Sequence, residues 1–195
     1  MIVTVSHGAV LDTATMEMVD NQTVVIEEDR IVDVVDGSTS VTSDVDVDAA
    51  GQYVLPGLID AHVHHFLVTM NFPRLAQMTD VERGIAMARL AEGNVQRGFT
   101  TVRDTGGDCR GLIRAITSGS CGGPRIVQAG RMLSQTGGHG DLRGGDLDVP
   151  ECGCQIHSDA AAIVVDGVDA CRKAARQVLR DDSDFVKIMS SGGVA

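Results

Sequence analysis

The chain has no tryptophan, a single tyrosine and four phenylalanines, so aromatic residues fill only 3% of its 195 positions. Single-stranded nucleic acid is held by stacked rings in basic grooves, and duplexes by neutralised phosphates. With 16 Lys and Arg against 27 Asp and Glu, the formal net charge is -11, so no nucleic-acid partner is expected. Anionic membrane surfaces are disfavoured for the same reason. Long apolar runs are missing too. The longest, Ala160 to Val165, falls far short of the roughly 20 residues of a membrane-spanning helix. Met1-Ile2-Val3-Thr4-Val5-Ser6 lacks the basic start of a secretory signal, and the expected compartment is the cytoplasm. Five cysteines, odd in number and irregular in spacing, make no disulfide framework. Cys152-Gly153-Cys154 with His157 reads as an accessory metal or redox pair, or more simply as an ordinary reduced loop.

What is present changes character near residue 54. Before it, Thr23-Val24-Val25-Ile26-Glu27 and Arg30-Ile31-Val32-Asp33-Val34-Val35 suit short antiparallel strands. The acidic stretch from Ser38 to Asp48 reads as a surface connection. From Leu55 onward strands alternate with helices, the pattern of βα units. The expected domains are therefore 1–54 and 55–195. Thr79-Asp80-Val81-Glu82 is a capping box opening a helix to about Arg97, with Gly98 as its stop. Strands are expected at Phe99–Arg103, Arg125–Ala129 and Phe185–Met189, and helices at Asp108–Ser118 and Val168–Arg180. Between Met132 and about His157 a glycine-rich loop is expected, of a length usually functional or disordered.

Candidate chemistry centres on His62-Val63-His64-His65 and Lys187. The run from Tyr53 to His64 reads as a buried strand after a Pro-Gly turn. Residues i and i+2 of a strand share a face, so His62 and His64 can reach one metal ion. Asp60 shares that face and could orient a ligating imidazole through its second nitrogen. Two histidines alone serve equally well as ordinary polar strand residues. His65 faces away and reads as structural. A lysine inside an apolar strand is costly unless its ammonium reaches solvent or a carboxylate, or is neutralised. His139 is either an exposed loop histidine or a substrate contact. The glycine-rich loop around it would also leave backbone N–H groups free for an oxyanion. Arg103, Asp104 and Asp141 read as residues that hold loops.

Four ordered blocks sharpen these readings. They are Leu55-Pro56-Gly57-Leu58-Ile59-Asp60-Ala61-His62-Val63-His64, Thr100 to Gly107, Thr136-Gly137-Gly138-His139-Gly140-Asp141, and Asp184 to Gly193. Together they resemble the amidohydrolase superfamily, in the branch of imidazolonepropionase-like enzymes and Xaa-Pro dipeptidases. The resemblance implies an α/β fold, the N-terminal half of a (β/α)8 TIM-like barrel preceded by part of a small β-sandwich. It also implies two divalent metal ions, zinc by ligand type, with His62, His64 and Lys187 as ligands and a CO2-derived carbamate on Lys187. His139 is then the catalytic residue that meets the scissile carbonyl, and a metal-bridging hydroxide cleaves an amide or other C–N bond. The substrate class is a small molecule or dipeptide, Xaa-Pro or N-acyl amino acid, with a cyclic amide as the rival. A homo-oligomer of the complete enzyme is compatible with this.

Such a barrel takes roughly 250 residues, whereas about 140 follow Pro56, so at most four of its eight units fit. The family's two further histidines and its last-strand aspartate, which moves the proton, would come after Ala195. The chain is thus expected to be an amino-terminal part, inactive alone. The alternative is a subunit that binds metal and needs a partner chain.

Overall fold

A computed structural model describes residues 1–141 and 161–192, and the chain divides into two compact units, Met1–Pro56 and Gly57–Ala195. The Cys152-Gly153-Cys154 and His157 expectation lies outside the described residues.

The first unit is a sheet built on β1 (Ile2–Asp12), flanked by β2 (Glu17–Glu27), with β3 (Arg30–Asp36) beyond it. These three pair antiparallel, as alternating valines and polar residues dictate. The other two strands do not. β4 (Val45–Asp48) and β5 (Tyr53–Val54) both run parallel to β1. The acidic connection expected up to Asp48 therefore ends in a strand. Its composition misleads because Asp46 serves the sheet: its carboxylate accepts from the Thr4 hydroxyl at 2.6 Å and the Ser6 hydroxyl at 2.9 Å. Both hydroxyl residues are buried on β1, where an unpaired hydroxyl would be costly.

The second unit alternates strands and helices. Its order is β6 (Leu58–Val63), α1 (Phe72–Gln77), α2 (Asp80–Gln96), β7 (Phe99–Asp104), α3 (Arg110–Thr117), β8 (Arg125–Gln128), β9 (Met132–Ser134), β10 (Ala162–Val164), α4 (Val168–Arg180) and β11 (Ile188–Met189). Two three-stranded sheets result, β6-β7-β8 and β10-β9-β11, and every pairing in them is parallel. Val63 pairs with Asp104 and Asp104 with Gln128, so the carboxyl ends of β6, β7 and β8 align. The core under them holds Phe66, Met87, Ala91, Val102, Leu112 and Met132, among others.

The helix limits follow from local chemistry. Thr79 and Glu82 form a reciprocal capping box at the start of α2. Beyond Arg97, Gly98 turns at φ +89°, the left-handed conformation that glycine adopts without steric cost. No described helix is long and apolar enough to cross a membrane.

Four expectations are corrected. Met132–Ser134 is a buried strand, so the glycine-rich loop starts only at Gln135. α1 and β10 were not anticipated, although Asn71 caps the first and the second lies within the longest apolar run. The last strand is regular only at Ile188–Met189. Asp184 is bonded there to the Gln128 main chain by its own N–H (2.8 Å) and also by its carboxylate (2.8 Å), which replaces a ladder rung. Finally β6 is mostly exposed, with Leu58 at 48% and Ile59 at 69% accessibility. It lies at the edge of its sheet, and a strand apolar on both faces is buried only where both faces are covered.

Candidate metal centre

Strand alternation and an early strand end arrange the histidines at the carboxyl end of β6. The rings of His62 and His64 share a face with centroids 5.2 Å apart and planes at 68°. Their Nε2 atoms approach to 3.3 Å. Two nitrogens about 2.1 Å from one tetrahedral ion stand about 3.4 Å apart, so this separation suits two ligands of a single ion. His62 is exposed and His64 half-buried. The Nδ1 atom of His64 is buried with no hydrogen-bond partner. The Gly106 backbone exerts a weak pull on this ring but stays outside hydrogen-bond geometry.

His64 is held below the ordinary imidazole value, first by burial, which penalises the cation. The charges of His62 and Lys187 act in the same direction, while that of Asp104 opposes them. An imidazole kept from protonating keeps a lone pair for a cation. Lys187 is half-buried immediately before β11, and its carbonyl accepts from Leu133 N–H at 2.9 Å.

The remaining expected residues behave differently. Asp60 bonds the His62 backbone N–H at 3.0 Å, a turn-like contact with the main chain in place of the ring contact anticipated for it. His139 is exposed on the loop after β9, and its N–H reaches Ser191 O at 3.1 Å, tying that loop to the one after β11. The expectation of free N–H groups fails for the described residues around it. Those of Gly137, Gly138, His139, Gly140 and Asp141 all donate within the protein, to Asp141 Oδ2, Gln135 O, Ser191 O, Ser134 Oγ and Gly138 O. Among the described residues no group of three His, Cys, Asp or Glu side chains is arranged to hold a metal ion; the third donor anticipated at this site is a lysine.

A second, buried cluster lies beside the pair and was only partly foreseen. His65 Nδ1 meets Asp104 Oδ2 at 2.9 Å, with both side chains almost wholly buried. Asn94, on α2, meets His65 Nε2 at 3.0 Å. Burial pushes the Cys109 thiol up, and the charges of Asp104 and Asp108 push it further. It therefore stays a thiol and donates to Asp104 Oδ2 at 3.3 Å. No local signal could have joined residues 65, 94 and 104.

Parallel strands alternating with helices, with two histidines at the carboxyl end of β6 and a lysine just before β11, make this an α/β protein. The chain belongs to the amidohydrolase family, whose sequence profile matches residues 53–195. It is similar to ochratoxinase from Aspergillus niger, 30% identical over 151 residues that cover 72% of this chain and 32% of that protein. The crystal structure of a prolidase complexed with N-methylphosphonate-L-proline matches with a TM-score of 0.91 and 37% identity, covering 100% of this chain and 48% of that one. A Xaa-Pro dipeptidase with methionine bound in its active site matches at 0.81 and 28%, covering 100% and 48%. The chain thus spans about half the length of these solved structures and about a third of the ochratoxinase.

Proposed function

We propose that this chain is the amino-terminal part of a metal-dependent amidohydrolase that cleaves amide bonds of small acyl-amino-acid or Xaa-Pro substrates. In this reading residues 1–54 belong to a small β-sandwich, and 55–195 are the first four units of a (β/α)8 barrel. The carrying observation is the 3.3 Å approach of His62 Nε2 and His64 Nε2 at a strand end. Likeness to a prolidase over the full length of the chain supports the substrate class.

His62 and His64 would hold one divalent ion, zinc by ligand type. Lys187 would lose one proton to become the neutral amine and a second on adding to CO2, and so exchange a half-buried cation for a carbamate with two oxygen donors. When bound, such ions lower the pKa of water and polarise an acyl oxygen. His139, exposed on its loop, would hydrogen-bond the scissile carbonyl. The N–H groups of residues 137–141 are already used within the protein, so among these residues the His139 imidazole would serve that oxygen. The resemblance leaves proton transfer to an aspartate outside this chain. The partner is a small molecule or dipeptide, not nucleic acid or membrane, and the composition suits a cytoplasmic protein.

The test is calorimetric titration of the chain with Zn2+ in bicarbonate buffer, alongside His62→Ala/His64→Ala. Saturable binding that the double variant loses supports the proposal. Equal binding by both, or none by either, overturns it.

A further inference from the structure

Asp104 is fully buried at the end of β7, and both its oxygens are engaged. Oδ2 accepts the His65 backbone N–H at 2.8 Å and faces His65 Nδ1 at 2.9 Å and the Cys109 thiol at 3.3 Å. Oδ1 accepts Gly106 N–H at 3.1 Å. Closing the sheet needs none of these contacts, because β6 and β7 already pair through their backbones.

The proton on His65 follows from the far end of the network. A guanidinium only donates, so the Asn94 atom that Arg97 Nη2 meets at 2.8 Å is the amide oxygen. The other amide atom is then the NH2 group, which also only donates, and it faces His65 Nε2 at 3.0 Å. Nε2 therefore accepts, and the ring proton sits on Nδ1, aimed at Asp104. Four residues thus form one directed line, Arg97 to Asn94 to His65 to Asp104.

Its effect falls on His64 from two sides. Oδ2 of Asp104 pins the peptide between His64 and His65. Oδ1 pins Gly106, next to Thr105, whose hydroxyl lies 3.4 Å from both His64 Nε2 and Val63 O. We infer that this line of hydrogen bonds holds the His62–His64 pair in its cation-receiving geometry, with Asp104 as the positioning residue. The inference rests on the metal reading proposed above. Groups that orient ligands through hydrogen bonds are worth about tenfold to a hundredfold in metal affinity.

The experiment compares Zn2+ dissociation constants of the chain, Asp104→Asn, Asn94→Ala and Cys109→Ala, each checked for folding by circular dichroism. Asp104→Asn is expected to weaken binding about tenfold to a hundredfold, and Asn94→Ala by less. Cys109→Ala removes a donor to the same carboxylate without breaking the line, so it lowers the melting temperature and leaves the constant unchanged. A folded Asp104→Asn that binds zinc like the parent overturns this inference alone. If that variant does not fold, unchanged affinity in Asn94→Ala overturns it instead. No zinc binding by the parent overturns the inference together with the metal reading. Independently of metal, 15N shifts of labelled histidine should show His65 protonated at Nδ1, and protonation at Nε2 would overturn the line itself.

Discussion

At the residue scale, His62 and His64 were legible in sequence because i and i+2 on a strand must share a face, and the structure brings their rings together as that rule requires. Asp60 obeys the same alternation yet bonds the backbone, since a short carboxylate two residues ahead of an N–H finds it more readily than a distant ring. The burial of His65 became visible only through partners 29 and 39 residues away. Lys187→Ala should lower zinc affinity by more than the roughly hundredfold expected of a supporting residue. Zinc bound per chain after dialysis in bicarbonate measures this, and undiminished content would remove Lys187 from the ligand set.

At the scale of elements, the ends of α2 were readable because a capping box and a glycine stop act within a few residues. Thr79→Ala removes a cap that accepts from Glu82 N–H at 3.2 Å, at an expected cost of about 1 kcal/mol. A denaturant midpoint unchanged from the parent would show the box to be inert. Leu112, buried on α3 against the core, should cost about 2–4 kcal/mol when cut to alanine, read from the same titration. β4 and β9 escaped prediction for opposite reasons. Acidic residues disguised a strand whose carboxylate satisfies buried hydroxyls, and glycines on both sides disguised three buried residues as part of a loop. In each case a neighbour distant in sequence supplied the pairing that composition hid.

At the scale of the whole molecule, the exposed Leu58 and Ile59 of β6 form an uncovered apolar strand at a sheet edge, a feature that invites pairing with other chains. The isolated chain should therefore self-associate, and Ile59→Lys should reduce that association in sedimentation velocity; identical profiles would exonerate the edge. On the proposed reading, the chain alone should release no product from an Xaa-Pro dipeptide. Turnover that is lost in His64→Ala would show that the residues here suffice, contrary to that reading.

Sequence alone determined the change of architecture near residue 54, the main helices, the His62 and His64 pair and the family resemblance, because caps, periodicity and short motifs are written in consecutive residues. Tertiary structure alone decided the parallel placement of β4 and β5, the tie from His139 N–H to Ser191 O, and the burial of His65 between Asn94 and Asp104. Those features depend on contacts between segments far apart in the chain, and hydrogen bonds of that kind are selected by where folding brings the backbone, which no local pattern encodes.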